Sequence, residues 1–269
     1  MQIRPDILKL GGSVITDKRS KKPVVRTSCV KRLAREIAHI YFDKTCKTRP
    51  QLILLYGAGS FGHPLAHKHQ LSERALSVDA LTGTAKTISS VHKLGITLTD
   101  IFLKERVPTV PLQTSSFMRQ HNGKLIITNY SLIEDILSHG GIPLLGGDVI
   151  IADHQHTTIA SADAIASELA QHFHSRKLFF ATDVNGVYEK FPTRTCESPL
   201  RLISKKKLQA MCVKNKAKKS SLDVTGAMAG KLHSLLPLRN CTVTIFNGIL
   251  PNTLEKALCG ETLGTRIIL

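Results

Sequence analysis

Short apolar runs alternate with longer amphipathic stretches through most of the chain. Residues 52–55 form an apolar run that ends near a glycine, which predicts a short buried strand of a parallel sheet. From Ser28 onward, apolar side chains at Val30, Leu33 and Ile37 recur at helical spacing and predict a helix capped by Ser28. Strands that alternate with helices in this way predict an α/β protein whose open, mainly parallel sheet is covered by helices on both faces.

Further elements follow from the same patterns. Residues 78–104 predict a long helix with a break near Gly83, and residues 107–112 predict a buried strand despite its prolines. Residues 149–152 and 157–160 are two short strand-like runs separated by a polar turn. These two runs predict a hairpin.

Length and composition suit a single domain. The 269 residues, with an apolar fraction of 42%, can bury one large core, so we expect one domain over residues 1–269 with approximate lobes 1–175 and 176–269. No apolar run approaches the roughly 20 residues that span a bilayer. A strand pattern also begins where a signal peptide would lie. The six cysteines form no C-x-x-C pair, which argues against a disulfide framework. We therefore expect a cytoplasmic protein without a membrane segment.

The chain is strongly basic, with a formal net charge of +17. Such a charge suits either the phosphate backbone of a nucleic acid or small anionic substrates. Basic residues are densest at 18–22 and 205–219, and neither stretch is interleaved with aromatic residues. Because the chain has 5% aromatic residues and no tryptophan, it is poorly equipped to stack bases, and we do not expect a nucleic-acid partner.

The sequence GAGSFGHP at residues 57–64 follows a predicted strand and leads into a predicted helix. A strand that breaks into glycines before a helix brings backbone N–H groups and the positive end of the helix dipole to one point, which favours phosphate. His63 stands at this point and can donate to a bound phosphate. Residues 11–13 form a second turn of this kind, with Lys9 near the end of the preceding strand.

Other functional motifs are weaker. Residues 57–62 spell G-x-G-x-x-G, but no acidic residue ends the next predicted strand, where a dinucleotide-binding fold needs one. The Walker A pattern is absent. His63 and His67 form an i, i+4 pair without an evident third ligand, so we predict no metal held by protein side chains.

Lys231 lies in the first turns of another predicted helix that follows a glycine-containing stretch. Phosphoryl transfer depends on fixed positive charges that neutralise the moving phosphate. Lys9 and Lys231 could serve this role together, although a lysine beside a glycine turn is more often simply solvated. Two lysines in one site repel each other unless a carboxylate lies between them, and Asp163 is the candidate for that counter-charge.

Four blocks of sequence together resemble the amino acid kinase superfamily. They are KLGGSVITDK at residues 9–18, GAGSFGHP at 57–64, TDVNGVY at 182–188 and DVTGAMAGK at 223–231. The blocks span nearly the whole chain in the family's order, and the first and third are typical of the superfamily. The second block, with His63, is similar to the isopentenyl phosphate kinase branch.

This resemblance implies an amino acid kinase-like, three-layer α/β/α sandwich that forms a homodimer, with the acceptor bound by the N-terminal lobe and ATP by the C-terminal lobe. The residues that it implies for ATP are Lys9, Gly11, Gly12, Ser13, Gly59, Asp183, Tyr188, Gly226 and Lys231. The residues expected near the acceptor phosphate are Ala58, Gly59, His63 and Ala162. The catalytic candidates are Lys9, Lys18, His63 and Lys231, together with Asp163 as the counter-charge. Lys18 would hold the transferring phosphoryl group. Mg²⁺ would bridge phosphate oxygens.

The sequence departs from the family pattern in three places. Tyr56 stands where a histidine is usual. Ala162 and Ala164 replace a glycine and an aspartate beside the acceptor phosphate, and Ala227 and Ala229 stand in a loop that is normally richer in glycine. A methyl group at such a place changes how closely a backbone amide approaches phosphate. We interpret the departures as adjustments, because the catalytic lysines and His63 are retained.

The resemblance implies an enzyme, an ATP-dependent kinase that converts isopentenyl phosphate to isopentenyl diphosphate by direct in-line transfer. A kinase of another small alkyl phosphate or of a phosphonate is an alternative within the same class. A basic nucleic-acid-binding module, and a small-molecule sensor on a kinase fold, are alternatives from other classes. The sequence alone leaves the exact acceptor and the role of residues 205–219 open.

Overall fold

The structure is a computed structural model that describes residues 3–17, 20, 22–41, 51–72, 74–153, 156–189, 198–216 and 224–269. The strands are β1 (Asp6–Leu10), β2 (Leu52–Tyr56), β3 (Arg74–Ala75), β4 (Thr109–Leu112), β5 (Met118–His121), β6 (Lys124–Ile127), β7 (Ile142–Gly146), β8 (Asp148–Ala152), β9 (His156–Ala160), β10 (Lys177–Thr182), β11 (Leu202–Ser204), β12 (Thr242–Asn247) and β13 (Thr265–Ile268). The helices are α1 (Gly12–Ile15), α2 (Thr27–Tyr41), α3 (Gly59–Lys68), α4 (Val78–Lys104), α5 (Ser131–Ser138), α6 (Ala162–His172), α7 (Lys205–Lys216), α8 (Val224–Ser234) and α9 (Thr253–Leu258).

The main sheet has eight strands in the order β11-β13-β12-β10-β1-β2-β7-β4. β1 lies in the middle and pairs in parallel with β2 and β10. The other pairs are also parallel, except that β12 and β13 are antiparallel. β2 and β7 are buried along their whole length, which explains their unbroken apolar runs. The predicted open, mainly parallel sheet is confirmed.

Helices cover both faces of this sheet, because successive side chains of a strand point to opposite sides. On β1, Ile7 packs into a cluster that includes Ile165 of α6, and this cluster also takes residues from α5, α7 and α8. Its neighbour Leu8 packs into a second cluster that includes Leu33 of α2 and Leu98 of α4. The predicted three-layer α/β/α sandwich follows from these two apolar clusters.

Five further strands form a second sheet in the order β3-β9-β8-β5-β6. β8 and β9 form the predicted hairpin, with Asp148 opposite Ala160. Residues 154–155 of its turn lie outside the described residues. β5 and β6 form another hairpin, and β5 pairs with β8. The sequence pattern indicates the first hairpin but not its pairing with β5, which depends on contacts distant in the chain.

Three local predictions are wrong in detail. α4 continues unbroken through Gly83, where a Cβ would lie 2.6 Å from the Cβ of His69, so this glycine serves packing. β4 is an edge strand on which Val110 is exposed, and it is therefore not the buried strand expected. α2 begins at Thr27, so Ser28 lies inside the helix and does not cap it.

The strands before and after residue 175 occupy opposite halves of the main sheet. The halves are continuous through the pair of β1 and β10. The lobe boundary near residue 175 stays a prediction. Within the described ranges, no helix combines the length and apolar character that crossing a membrane requires.

Candidate active site

Two glycine turns touch each other at the carboxyl ends of β1 and β2. A Cβ added to Gly12 would lie 2.6 Å from the backbone nitrogen of Gly59, and one added to Gly57 would lie 2.7 Å from the backbone nitrogen of Gly12. Gly59 also has a φ of +50°, which glycine adopts without strain. Side chains here would push the turns apart. The contact brings both turns to the edge where open α/β sheets bind their ligands.

Thr16 links these two glycine turns through hydrogen bonds. Its Oγ1 donates to the carbonyl oxygen of Gly12 at 2.7 Å and accepts from the backbone N–H of Ser60 at 3.1 Å. The residue is fully buried, so no water competes for these bonds. One hydroxyl group therefore bonds to both turns, in addition to the direct contact between their glycines.

Three charged side chains meet in a single cluster, those of Lys9, Asp163 and Lys231. Lys9 lies two residues before the first glycine turn. The Nζ atoms of Lys9 and Lys231 each lie 2.7 Å from Oδ1 of Asp163. Lys9 comes from β1, Lys231 from α8, and Asp163 from the first turn of α6, which Ser161 caps. The Nζ of Lys231 also lies 4.2 Å from the ring centre of Phe180. The fold thus joins three charged residues that are far apart in sequence.

These charges control one another's protonation. Burial favours the neutral form of Asp163, but the charges of Lys9 and Lys231 outweigh it and hold the pKa of the carboxyl well below its usual range. Burial and repulsion by Lys9 lower the pKa of Lys231 to about 7, although Asp163 opposes this shift. The cluster is therefore an ionised carboxylate between two lysines. Lys231 changes between its charged and neutral forms near neutral pH.

The predicted acceptor residues lie on α3 and α6. Ala58 directly precedes α3, and His63 lies on an exposed part of that helix. Ala162 is buried at the start of α6, where a Cβ added to Gly147 would lie 2.8 Å from its backbone nitrogen. The backbone at Ala162 is thus tightly packed against Gly147, whereas the methyl group of Ala162 would be in ordinary contact with the added Cβ, at 3.5 Å.

Five of the predicted ATP residues follow the carboxyl ends of β1 and β10, namely Gly11, Gly12, Ser13, Asp183 and Tyr188. Gly11 donates its N–H to the carbonyl oxygen of Ala181 at 2.8 Å, which ties the first turn to β10. Ser13 follows within α1. Asp183 is exposed and Tyr188 is half-buried, and both lie in the stretch that follows β10.

Gly226 lies in the first turn of α8, and Lys18 lies outside the described residues. Among the residues that the structure describes, no group of three or more His, Cys, Asp and Glu side chains is placed to hold a metal ion. The lysine ammonium groups and the glycine turns suit a phosphate-bearing ligand instead.

The amino acid kinase family model matches residues 7–247 of the chain. The chain belongs to the amino acid kinase family. It is 33% identical to an isopentenyl phosphate kinase of Methanothermobacter thermautotrophicus over 97% of this chain and 98% of that protein. An isopentenyl phosphate kinase of Methanocaldococcus jannaschii is 30% identical over 97% of each chain. A solved isopentenyl phosphate kinase structure has a TM-score of 0.80 and 30% identity, and the match covers 98% of this chain and all of that one. The resemblance inferred from the motifs is confirmed.

In this amino acid kinase, Tyr56 at the end of β2 is a packing residue. A Cβ on Gly95 of α4 would lie 2.3 Å from its hydroxyl oxygen, and one on Gly146 of β7 would lie 2.5 Å from its Cζ. The hydroxyl donates to the carbonyl oxygen of Val91 at 3.4 Å. Burial, and after it the charge of Asp148, raises the pKa of Tyr56 well above its usual range. Tyr56 is therefore neutral, and its side chain packs between two glycines.

Thr16 is the residue of this amino acid kinase that sequence reasoning missed. It lies inside the first motif block, but a threonine between an apolar pair and an aspartate has no distinctive spacing of its own. Only the fold shows that the second glycine turn lies within its reach. The sequence therefore carried no signal for the role of Thr16, because both its burial and its contact with the second turn depend on the fold.

Proposed function

We propose that this amino acid kinase transfers the γ-phosphoryl group of ATP to isopentenyl phosphate and forms isopentenyl diphosphate and ADP. The observation that carries the proposal is the cluster of Lys9, Asp163 and Lys231 beside two touching glycine turns. Isopentenyl phosphate kinases also match this chain over nearly its whole length, which supports the choice of acceptor.

The proposed reaction is a direct in-line displacement. An oxygen of the acceptor phosphate forms a bond to the γ-phosphorus, while the bond from that phosphorus to the β,γ-bridging oxygen breaks and ADP leaves. Lys9 and Lys231 neutralise charge on the transferred group, and Asp163 keeps the two lysines at one place. Because the acceptor phosphate is already ionised, no strong general base is needed. His63 acts as a donor that positions the acceptor.

Mg²⁺ is part of the proposal, because kinases normally bind ATP together with Mg²⁺. It lowers the charge repulsion between phosphate groups. Phosphate oxygens would supply most of its ligands, because the described residues offer no group of three or more His, Cys, Asp or Glu side chains placed for a metal, and Asp163 is engaged by both lysines. Lys18, which the resemblance implies beside the transferring group, stays a prediction.

Three alternatives were open at the level of sequence, and the assay below tests the small-molecule sensor through ATP binding without turnover. A kinase of another small alkyl phosphate or of a phosphonate uses the same phosphate machinery and differs only in the pocket for the rest of the acceptor. A basic nucleic-acid-binding module is not favoured, because the matches to kinases extend over nearly the whole chain.

We also propose that the protein is a homodimer in the cytoplasm. The support for the dimer is an apolar stripe on α4, formed by the exposed side chains of Val78, Leu81, Ile96 and Leu103. At 3.6 residues per turn these four positions fall within about 60° of one another around the helix axis. A second copy of the same stripe is a self-complementary partner. The cytoplasmic location rests on the sequence alone.

A coupled assay of ADP release tests the acceptor. Isopentenyl phosphate, shorter and longer alkyl phosphates and fosfomycin are compared at saturating ATP and Mg²⁺. We expect kcat/KM to be highest for isopentenyl phosphate, by about tenfold over an acceptor that differs by a methylene group or two. A clear preference for another acceptor selects the first alternative, and ATP binding without turnover of any acceptor contradicts the proposed kinase activity.

Replacement of the proposed donor tests the mechanism. We expect His63→Ala to lower kcat by about a hundredfold or more, as is typical when a donor to a charged oxygen is removed. The KM for ATP should change little. His67→Ala is the matched control, because His67 is an exposed histidine one turn further along α3. Near-normal turnover of His63→Ala would remove His63 from the mechanism.

A further inference from the structure

Helix α2 carries an arginine and a glutamate that hold the loop after β12. Arg32 donates to the carbonyl oxygens of Gly248 and Ile249 at 2.6 and 3.1 Å. It also donates to the carboxylate of Glu36, one helical turn further along. Glu36 is only 5% exposed, so this is a buried charge with a specific partner. We call Arg32 and Glu36 the α2 clasp.

Glu36 holds the far end of the same loop. Its carboxylate accepts from the backbone N–H groups of Asn252, Leu254 and Glu255 at 3.2, 3.1 and 3.1 Å. These groups begin α9, whose own capping position makes no side-chain hydrogen bond. The clasp therefore supplies, from another helix, the cap that α9 lacks, and it fixes the loop of residues 247–252 at both ends.

This loop packs against two parts of the proposed nucleotide site. A Cβ added to Gly248 would lie 2.7 Å from the Cβ of Ala181 at the end of β10. The same atom would lie 3.4 Å from Cγ1 of Val14, in the short helix that follows the first glycine turn. A small displacement of the loop therefore shifts the residues against which the first glycine turn and the end of β10 both pack.

The loop also holds the turn after β10 through a pair of side-chain amides. Asn247 donates from Nδ2 to Oδ1 of Asn185 at 2.9 Å. The side chain of Asn247 is itself oriented, because its Oδ1 accepts from the backbone N–H of Ile249 at 3.0 Å. Arg32 binds the carbonyl of that same Ile249. A continuous chain of hydrogen bonds thus runs from α2 to the turn that contains Asp183 and precedes Tyr188.

We infer that Arg32 and Glu36 are positioning residues that hold the ATP side of the site in its binding geometry. The inference rests on the proposed function in one respect, the location of ATP at the carboxyl ends of β1 and β10. The hydrogen bonds described above for the clasp reach the loop after β12 and the start of α9, and not the lysine cluster or the glycine turns. It acts through the loop of residues 247–252, so its loss weakens nucleotide binding and leaves the acceptor side intact.

Arg35 on the same helix provides the matched control. It makes a two-bond contact with the carboxylate of Glu105, from Nε at 2.9 Å and from Nη2 at 3.1 Å. Glu105 follows α4 and lies far in sequence from the loop after β12. Arg32 and Arg35 therefore share a helix and a residue type, and each binds a carboxylate, Glu36 for Arg32 and Glu105 for Arg35. Arg35 is the more exposed of the two, and its carboxylate partner lies outside the loop after β12.

The experiment measures the dissociation constant of ATP with Mg²⁺ by titration calorimetry, and the KM of each substrate by steady-state kinetics. We expect Arg32→Met to weaken ATP binding by about tenfold or more, because the pre-organised loop is lost, with the KM for isopentenyl phosphate within about twofold of the parent. Arg32→Lys keeps the positive charge beside Glu36, but its single ammonium cannot serve two carbonyls and a carboxylate in the same fork geometry. We expect it to weaken ATP binding to an intermediate degree.

Each result decides the inference. Selective weakening of ATP binding in both Arg32 variants, with Arg35→Met unchanged, supports it. Unchanged ATP binding in the Arg32 variants, equal weakening in Arg35→Met, or an equal rise in both KM values overturns it. If Arg32→Met shows no cooperative unfolding transition, Arg32→Lys decides by the same criteria. A parent protein that binds ATP but does not phosphorylate isopentenyl phosphate refutes the proposed function alone, whereas a parent that binds no ATP refutes both.

Discussion

At the scale of the residue, Lys231 is a buried lysine of the proposed site whose pKa lies near neutral pH. Burial and the neighbouring charge of Lys9 lower its pKa to about 7, so at slightly alkaline pH much of it is neutral in the unliganded protein. A phosphate group at the cluster favours the ammonium form and raises that pKa. ATP binding should therefore take up a proton at pH values above the lowered pKa.

Titration calorimetry can measure this proton uptake. About one pH unit above the lowered pKa of Lys231, the heat of ATP binding should differ between HEPES and Tris in proportion to their ionisation enthalpies. Lys231→Met should bind ATP more weakly and show no such difference. Equal heats in both buffers for the parent protein would mean that Lys231 does not change its protonation on binding.

Thr16 can be tested by an almost isosteric change. In Thr16→Val, the buried N–H of Ser60 loses its acceptor, which should lower the free energy of unfolding by about 1–3 kcal/mol. The two turns should also separate slightly, with a loss of kcat/KM of about tenfold to a hundredfold. Thr16→Ser keeps the hydroxyl and should stay close to the parent in denaturant unfolding and in activity. Equal activity of the valine and serine variants would show that the hydroxyl does not set the geometry of the turns.

At the scale of the element, α4 shows that a packing contact can outweigh the helix preference for alanine over glycine. Alanine normally stabilises a helix interior by up to about 1 kcal/mol relative to glycine. Gly95→Ala should instead destabilise the protein by about 1–3 kcal/mol, because the new methyl group would overlap the hydroxyl of Tyr56.

Urea unfolding of three variants checks this reversal. Gly230→Ala is the control, because Gly230 is an exposed glycine of α8 whose added Cβ would meet no atom within 4 Å. That change should be neutral or stabilising. Tyr56→Leu combined with Gly95→Ala should recover part of the loss, and a Gly95→Ala protein as stable as the parent would show that the ring moves aside at no cost.

Local pattern was sufficient for elements whose ends carry their own signals. The predicted hairpin of β8 and β9 is an example, because two short strand-like runs flank a polar turn in the sequence. Pattern failed where a tertiary contact decided the outcome. Gly83 was expected to interrupt α4, yet it is retained within the helix because the side chain of His69 packs on it. The exposure of Val110 on β4 depends on that strand being last in the sheet, which no local property encodes.

At the scale of the whole molecule, the site could be predicted only in part. The need for a counter-charge between Lys9 and Lys231 follows from electrostatics, and Asp163 lies where that argument requires a carboxylate. The contact between the two glycine turns and the role of Thr16 could not be predicted, because they depend on which strands are neighbours. The catalytic roles of these residues remain proposals for the assays above.

The oligomeric state is a prediction at this scale as well. Size-exclusion chromatography with light scattering should give about twice the chain mass of 29.5 kDa. Leu81→Glu combined with Ile96→Glu places charges in the apolar stripe of α4 and should give the mass of one chain. Leu202→Glu is the control, because Leu202 is an exposed leucine on the edge strand β11 and should not alter the mass. A single-chain mass for the parent protein would exclude the homodimer.

The carboxylate shared by Lys9 and Lys231 also has a consequence for product release. Under the proposed function, a bound phosphate would share the two ammonium groups with Asp163. This sharing would weaken the binding of departing ADP as well as of arriving ATP. When ADP leaves, both lysines would stay paired with the carboxylate, so the empty pocket would need no anion from solution.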